Sequence, residues 1–193
     1  MRICVYGASS QSIDKTYIDE IEKLGEMMVQ KGHSLVFGGG ANGLMGSVAR
    51  GVRMANGHII GVIPSFFRES SAEIEYNGCD KLIRTDTMRE RKKIMEEYAD
   101  AFIMVPGGIG TFEEFFEILT LKQLDRLDKP LVIYNLDGYF DEMCKMINES
   151  IKKNFIHINC LKLFKVCSTC EEIFEYIGKY EKHSFSVKDL KDG

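Results

Sequence analysis

Short apolar runs alternate along the chain with stretches in which apolar positions recur every three or four residues. Seven runs read as strands: Ile3–Tyr6, Ser34–Phe37, His58–Ile63, Lys81–Arg84, Ala101–Val105, Leu131–Tyr134 and, least sharply, Leu163–Val166. Most are apolar throughout, the pattern of parallel strands covered on both faces. Helical periodicity covers 14–31, 43–56, 88–98, 111–125, 139–153 and 170–180. In the first of these Tyr17, Ile18, Ile21, Leu24, Met28 and Val29 mark one face. Regular strand–helix alternation predicts an α/β fold, a Rossmann-like doubly wound parallel sheet of about seven strands flanked by helices. One domain is expected over 1–182, followed by a polar tail over 183–193. The longest irregular stretch, Pro64–Asp80, reads as a loop at the mouth of a site.

Composition narrows the function classes. The net charge of −4 argues against bulk nucleic-acid binding, and no apolar run reaches the roughly 18 residues a membrane span needs. Met1-Arg2 runs directly into the first strand, so no signal peptide is expected, and six cysteines then read as reduced thiols of a cytoplasmic protein. His157, Cys160, Cys167 and Cys170 have spacings that can hold zinc, but a lone C-x2-C is a weak motif. Buried thiols are the expectation there, with no metal.

The chemistry concentrates in turns that follow strands, where doubly wound sheets bind ligands. After the first strand comes Gly7-Ala-Ser-Ser10, after the second Gly38-Gly-Gly-Ala-Asn-Gly43, and after the fifth Pro106-Gly-Gly-Ile-Gly-Thr-Phe-Glu-Glu114. Gly107, Gly108 and Gly110 permit close backbone approach to an anion, and Thr111 can cap the helix or bind an anionic oxygen. Two glycine-rich turns at one sheet edge suit a nucleotide phosphate; no G-x4-G-K-[ST] pattern marks a Walker-type ATPase. In the basic cluster, Arg89 and Lys93 read as solvated. Arg91 and Lys92 share a stripe with Met88 and Met95 and so need partners, a phosphate or a carboxylate for Arg91. Glu113 and Glu114 either favour the helix dipole or do chemistry, since a carboxylate beside a ribose phosphate can stabilise an oxocarbenium ion or activate water. The residues alone thus describe a nucleotide-binding α/β protein, with hydrolysis as one use of the acid.

Met88-Arg-Glu-Arg-Lys92 together with Pro106–Glu114 resembles the LOG family of cytokinin-activating phosphoribohydrolases, proteins long called lysine decarboxylases, whose signature is P-G-G-x-G-T-x-x-E. The resemblance extends to Gly7–Ser10, Gly38–Gly46 and Asp128-Lys-Pro-Leu131, in family order over about residues 1–180. It implies hydrolysis of a nucleoside 5′-monophosphate to free base and ribose 5-phosphate, without metal or organic cofactor. The family's catalytic pair falls on Arg91 and Glu114. Lys92, Gly108, Ile109, Gly110, Thr111, Glu113 and Thr120 fall on nucleotide-contact positions, and Ser9, Gly39, Gly40, Met88 and Gly107 complete the expected substrate-binding set. A further acidic contact falls on Glu69 or Glu73. The family's homodimer interface falls on the helix after the glycine motif, consistent with apolar positions all round Phe112–Leu124.

Three rivals are weighed against this. A non-catalytic carrier of a nucleotide or cofactor has no evident need for Arg91 and Glu114 together. Lysine decarboxylation commonly uses a pyridoxal Schiff base, for which no pattern is found. A NAD-dependent dehydrogenase would carry G-x-G-x-x-G after the first strand, which this chain lacks.

Overall fold

A computed structural model describes residues 1–70, 73–182 and 186–190, with side chains throughout except at 68–70. Seven strands occur: β1 Arg2–Tyr6, β2 Ser34–Phe37, β3 Ile59–Pro64, β4 Lys81–Thr85, β5 Ala101–Met104, β6 Leu131–Tyr134 and β7 Lys165–Cys167. Among the described residues seven α-helices accompany these strands: α1 Lys15–Gln30, α2 Gly43–Met54, α3 Ser65–Ser70, α4 Met88–Tyr98, α5 Ile109–Gln123, α6 Asp141–Lys152 and α7 Cys170–Gly178. All pair in parallel in the order β4-β3-β2-β1-β5-β6-β7. The chain therefore builds outward from β1 to one side, returns, and builds outward again from β5. The topological switch lies between β1 and β5, where ligands of such sheets bind.

Strand parity divides the core. Ile3 and Val5 of β1 enter one apolar cluster with α1, α2 and α7; Cys4 and Tyr6 enter the other with α4, α5 and α6. The expected face of α1 is buried at Ile21, Leu24 and Met28, with Tyr17, Ile18 and Val29 packed at its margin. Left-handed residues stop several helices: Gly32 after α1, Asn56 after α2, Asp125 after α5 and Asn154 after α6.

Three expectations need correction. The stretch expected to be irregular after Pro64 contains α3, and Glu75 forms an antiparallel bridge with Gly40. The last strand starts later than expected: Leu163 and Phe164 are buried ahead of it, and β7 begins at Lys165. The tail is not wholly solvated either. Leu190 is fully buried against Cys160 and Leu163, and its carbonyl accepts from Gln123 Nε2 at 3.2 Å.

Candidate active site

Two turns meet at the switch point. Val105 N–H donates to the Tyr6 carbonyl at 2.8 Å, and Ala8 N–H donates to the Pro106 carbonyl at 3.1 Å, so the turns after β1 and β5 are tied together. A cleft of about 370 Å³ opens above them. Its lining includes Ala8, Ser9, Gly108, Gly110, Thr111, Glu113, Glu114, Met88, Arg91 and Glu73.

One end of the cleft is the start of α5. Its N-cap is Gly108, which has no side chain and no side-chain cap. The first-turn N–H groups of a helix have no intrahelical acceptors, and the macrodipole adds positive potential there. A methyl group placed on Gly108 or Gly110 would meet no atom within 4 Å. Thr111 is buried against Gly107, and Tyr139 fixes the turn by donating its hydroxyl proton to the Gly107 carbonyl at 2.7 Å. An open, uncapped helix start of this kind can receive an anion.

The start of α2 differs. Leu44 and Met45 N–H both donate to the Ala8 carbonyl, at 2.9 and 3.2 Å, so protein already occupies that helix end.

One turn further along α5, Glu114 faces Arg91. The helix carrying Arg91 is started by Thr87, whose hydroxyl accepts from Glu90 N–H at 3.1 Å, while the Glu90 carboxylate accepts from Asp86 N–H at 2.9 Å. This cap sets α4 so that Arg91, one turn in, points at the sheet edge. Its Nε donates to the Val62 carbonyl at 3.2 Å and its Nη1 lies 3.5 Å from Glu114 Oε1. Both side chains are almost wholly removed from solvent, Arg91 at 9% and Glu114 at 8% exposure. Burial pushes the Glu114 carboxyl up to about 7, against the pull of Arg91 and with a further push from Glu113. An acid held near neutrality beside a fixed guanidinium, one helical turn from an anion cradle, can exchange a proton or balance positive charge at a bound sugar phosphate.

Comparison with known proteins fixes the family. The model of a family described as "Possible lysine decarboxylase" matches residues 45–177. The chain is 36% identical over 186 residues to cytokinin riboside 5′-monophosphate phosphoribohydrolase LOG4 of Arabidopsis thaliana, covering 96% of this chain and 86% of that protein. It is 33% identical over 190 residues to LOG2 of the same plant, of the same enzyme name, covering 98% of this chain and 88% of that one. The chain belongs to the LOG family. The solved molybdenum cofactor carrier protein of Chlamydomonas reinhardtii shares its fold, with a TM-score of 0.70 at 21% identity over 92% of this chain and 96% of that one.

The LOG-family positions are not all brought to the cleft. Ser9, Met88, Gly108, Gly110, Thr111 and Glu113 line it with Arg91 and Glu114. Gly107 supports the turn from an adjoining apolar groove lined by Tyr17 and Tyr139. Ile109 projects into solvent at 88% exposure. Lys92 turns to the outer side of α5, pairing with Glu113 at 2.5 Å and Glu117 at 2.8 Å. Thr120 is exposed and spends its hydroxyl on the Phe116 carbonyl at 2.6 Å. Gly39 and Gly40 are buried beneath the site: Gly39, at φ +78°, packs on Ile63, and Gly40 on Glu73.

Of the two loop acids, Glu73 reaches the cleft, and the Glu69 side chain lies outside the described residues. Tyr6, Met45, Phe67 and Met95 also line it, and none was singled out as a ligand contact from the sequence. Strand parity could have found Tyr6, since it ends β1 on the same side as α4 and α5. His157, Cys160, Cys167 and Cys170 do not converge. Among the described residues no group of three or more His, Cys, Asp or Glu side chains is placed to hold a metal ion. Cys160 packs with Leu190, while Cys167 and Cys170 join the α1/α2 core.

Proposed function

We propose that this chain hydrolyses the N-glycosidic bond of a nucleoside 5′-monophosphate, a cytokinin riboside monophosphate or AMP, to free base and ribose 5-phosphate. The observation that carries the reading is Glu114, buried at 8% exposure 3.5 Å from Arg91 and one turn from the uncapped start of α5. The 5′-phosphate binds the amides of Gly108–Thr111, which holds the ribose over Glu114. As the glycosidic bond lengthens, positive charge grows at C1′, and the Glu114 carboxylate offsets it and takes the proton of the attacking water. Arg91 fixes the Glu114 carboxylate and steadies negative charge on the ligand. Relatives bearing the name of this activity, at 33–36% identity over nearly the whole chain, support the same reading.

The reading includes a homodimer on α5. Phe112, Phe116, Leu119, Leu121 and Leu124 are only half-buried in one copy, so a second copy would cover them. Light scattering at twice the monomer mass checks it. A cytoplasmic address belongs to the same proposal; no described helix is long and apolar enough to cross a membrane.

The activity is tested by incubating the protein with AMP and, separately, isopentenyladenosine monophosphate and following free base by chromatography. Base release that falls about 10³-fold in Glu114→Gln, with AMP affinity held within a few-fold, is the expected result. Tight AMP binding without release would favour a carrier.

A further inference from the structure

Besides Glu114 and Glu113, which Lys92 pairs, the cleft holds a third acid that the catalytic pair leaves without a role. Glu73 follows α3 and lines the same cavity as Glu114. Its position is built rather than incidental. Ala41 N–H donates to the Ile74 carbonyl and Tyr76 N–H to the Gly39 carbonyl, each at 2.8 Å, so the segment is strapped to the turn after β2. Arg84 on β4 pairs with Glu75 at 2.8 Å. A methyl group on Gly40 would overlap the Glu73 carboxylate, and one on Gly38 would overlap the Arg91 guanidinium. The turn thus seats both groups side by side.

The anion cradle follows β5, whereas Glu73 sits on the turn of β2, two strands away in the order β2-β1-β5. At the usual strand spacing the two turns lie about 10 Å apart, and the Glu73 side chain reaches into the cleft between them. Arg91, beside Glu73 on the turn after β2, joins it to Glu114 on α5. Phe67 and Met88, also in the lining, give the cleft an apolar wall suited to a flat ring.

We infer that Glu73 is the general acid for the leaving base, donating its carboxyl proton to N7 of the purine. The step rests on the phosphoribohydrolase reading. The water oxygen bonds to C1′ as the C1′–N9 bond breaks, and the bonding pair passes to the base. N7 takes the Glu73 proton and Glu114 takes the proton of the water; solvent then returns one proton to Glu73 and removes one from Glu114. Burial favours the protonated form of Glu73, against the pull of Arg91.

The test compares AMP with p-nitrophenyl ribofuranoside 5-phosphate, whose phenolate departs without needing a proton. Glu73→Gln keeps the shape of the side chain and removes its acid. It should lower kcat on AMP by about 10²–10⁴-fold while kcat on the nitrophenyl glycoside changes only a few-fold. Gly40→Ala, which displaces the carboxylate without removing it, should give the same selective loss and guards against a folding defect in the first variant. Glu114→Gln should lose both substrates. Equal loss of both substrates in Glu73→Gln, or undiminished AMP turnover, overturns the acid role. A parent enzyme that cleaves the glycosidic bond of neither substrate overturns the phosphoribohydrolase reading itself.

Discussion

Gly38-Gly-Gly40 and Gly107-Gly-Ile-Gly110 have similar composition, follow buried parallel strands at the same sheet edge and lead into helices. Their surroundings are opposite. Around the first turn the space a side chain would need is already filled: by the Arg91 guanidinium at Gly38, Ile63 at Gly39 and the Glu73 carboxylate at Gly40. Its following helix is capped by the Ala8 carbonyl. Around the second, Gly108 and Gly110 face open space and the helix start is uncapped. Glycine allows close approach, but it does not say what approaches. In the first turn the visitors are the protein's own side chains; in the second the space is left open.

The largest expected effect comes from breaking the first turn. The three atoms nearest a methyl group on Gly38 all belong to the Arg91 guanidinium, the far end of a flexible side chain. Gly38→Ala should therefore fold with a melting temperature within a few degrees of the parent, yet lose about 10³-fold in turnover because Arg91 leaves Glu114. A double-mutant cycle sharpens this. In an Arg91→Ala background Gly38→Ala should add almost nothing, since both changes remove one interaction. A fully additive loss would mean that the first turn contacts the ligand itself.

How far this difference could be read from sequence depends on the interaction. The alternation of strands and helices was legible from periodicity, and Arg91 and Glu114 were singled out by two short motifs, each contiguous in the chain. The occupant of the first turn was not legible, because Glu73 and Arg91 arrive there from other elements, through an antiparallel bridge of Gly40 to Glu75 and through the cap of α4. Lys122 makes the same point. It stands on an otherwise apolar helix and is fully buried, donating to the Lys129 carbonyl at 2.6 Å and the Tyr180 hydroxyl at 2.7 Å. Its acceptors come from a loop and from residues beyond α7. No local pattern announces a partner 58 positions away.

The electrostatics of the pair give the next effect. With the Glu114 carboxyl at about 7 and the carboxylate as the working form, kcat/KM on the nitrophenyl glycoside, which does not need the Glu73 proton, should rise about tenfold per pH unit below that value and level off above it. The stability consequence has the opposite sense. Because the folded-state value lies above the ordinary 4.5, the native state holds more protons than the unfolded chain between 4.5 and 7. The stability from protonated Glu114 is complete below that window and is lost as pH rises through it, by about 3 kcal/mol at most. Urea unfolding at pH 5 and pH 8 should show the parent losing this increment relative to Glu114→Gln. Loss of the increment from both proteins would place the titration elsewhere.

The smallest effect probes the second turn. Gly110 lies in the first turn of α5, has no positive φ and would meet nothing within 4 Å if it carried a methyl group. Alanine there removes backbone freedom from the unfolded chain and suits a helix, so Gly110→Ala should stabilise the protein by about 0.5–1 kcal/mol. If the open space is where a phosphate oxygen approaches the amides, the same methyl group should weaken AMP binding by roughly tenfold, about 1.4 kcal/mol. Gain of stability with loss of affinity is the signature of a glycine kept for a ligand, because packing alone would move both in one direction. Calorimetric titration with AMP and a thermal melt on one preparation measure the two together. A Gly110→Ala protein that is more stable and binds AMP unchanged would move the phosphate off this turn, and with it the contrast between the two glycine segments.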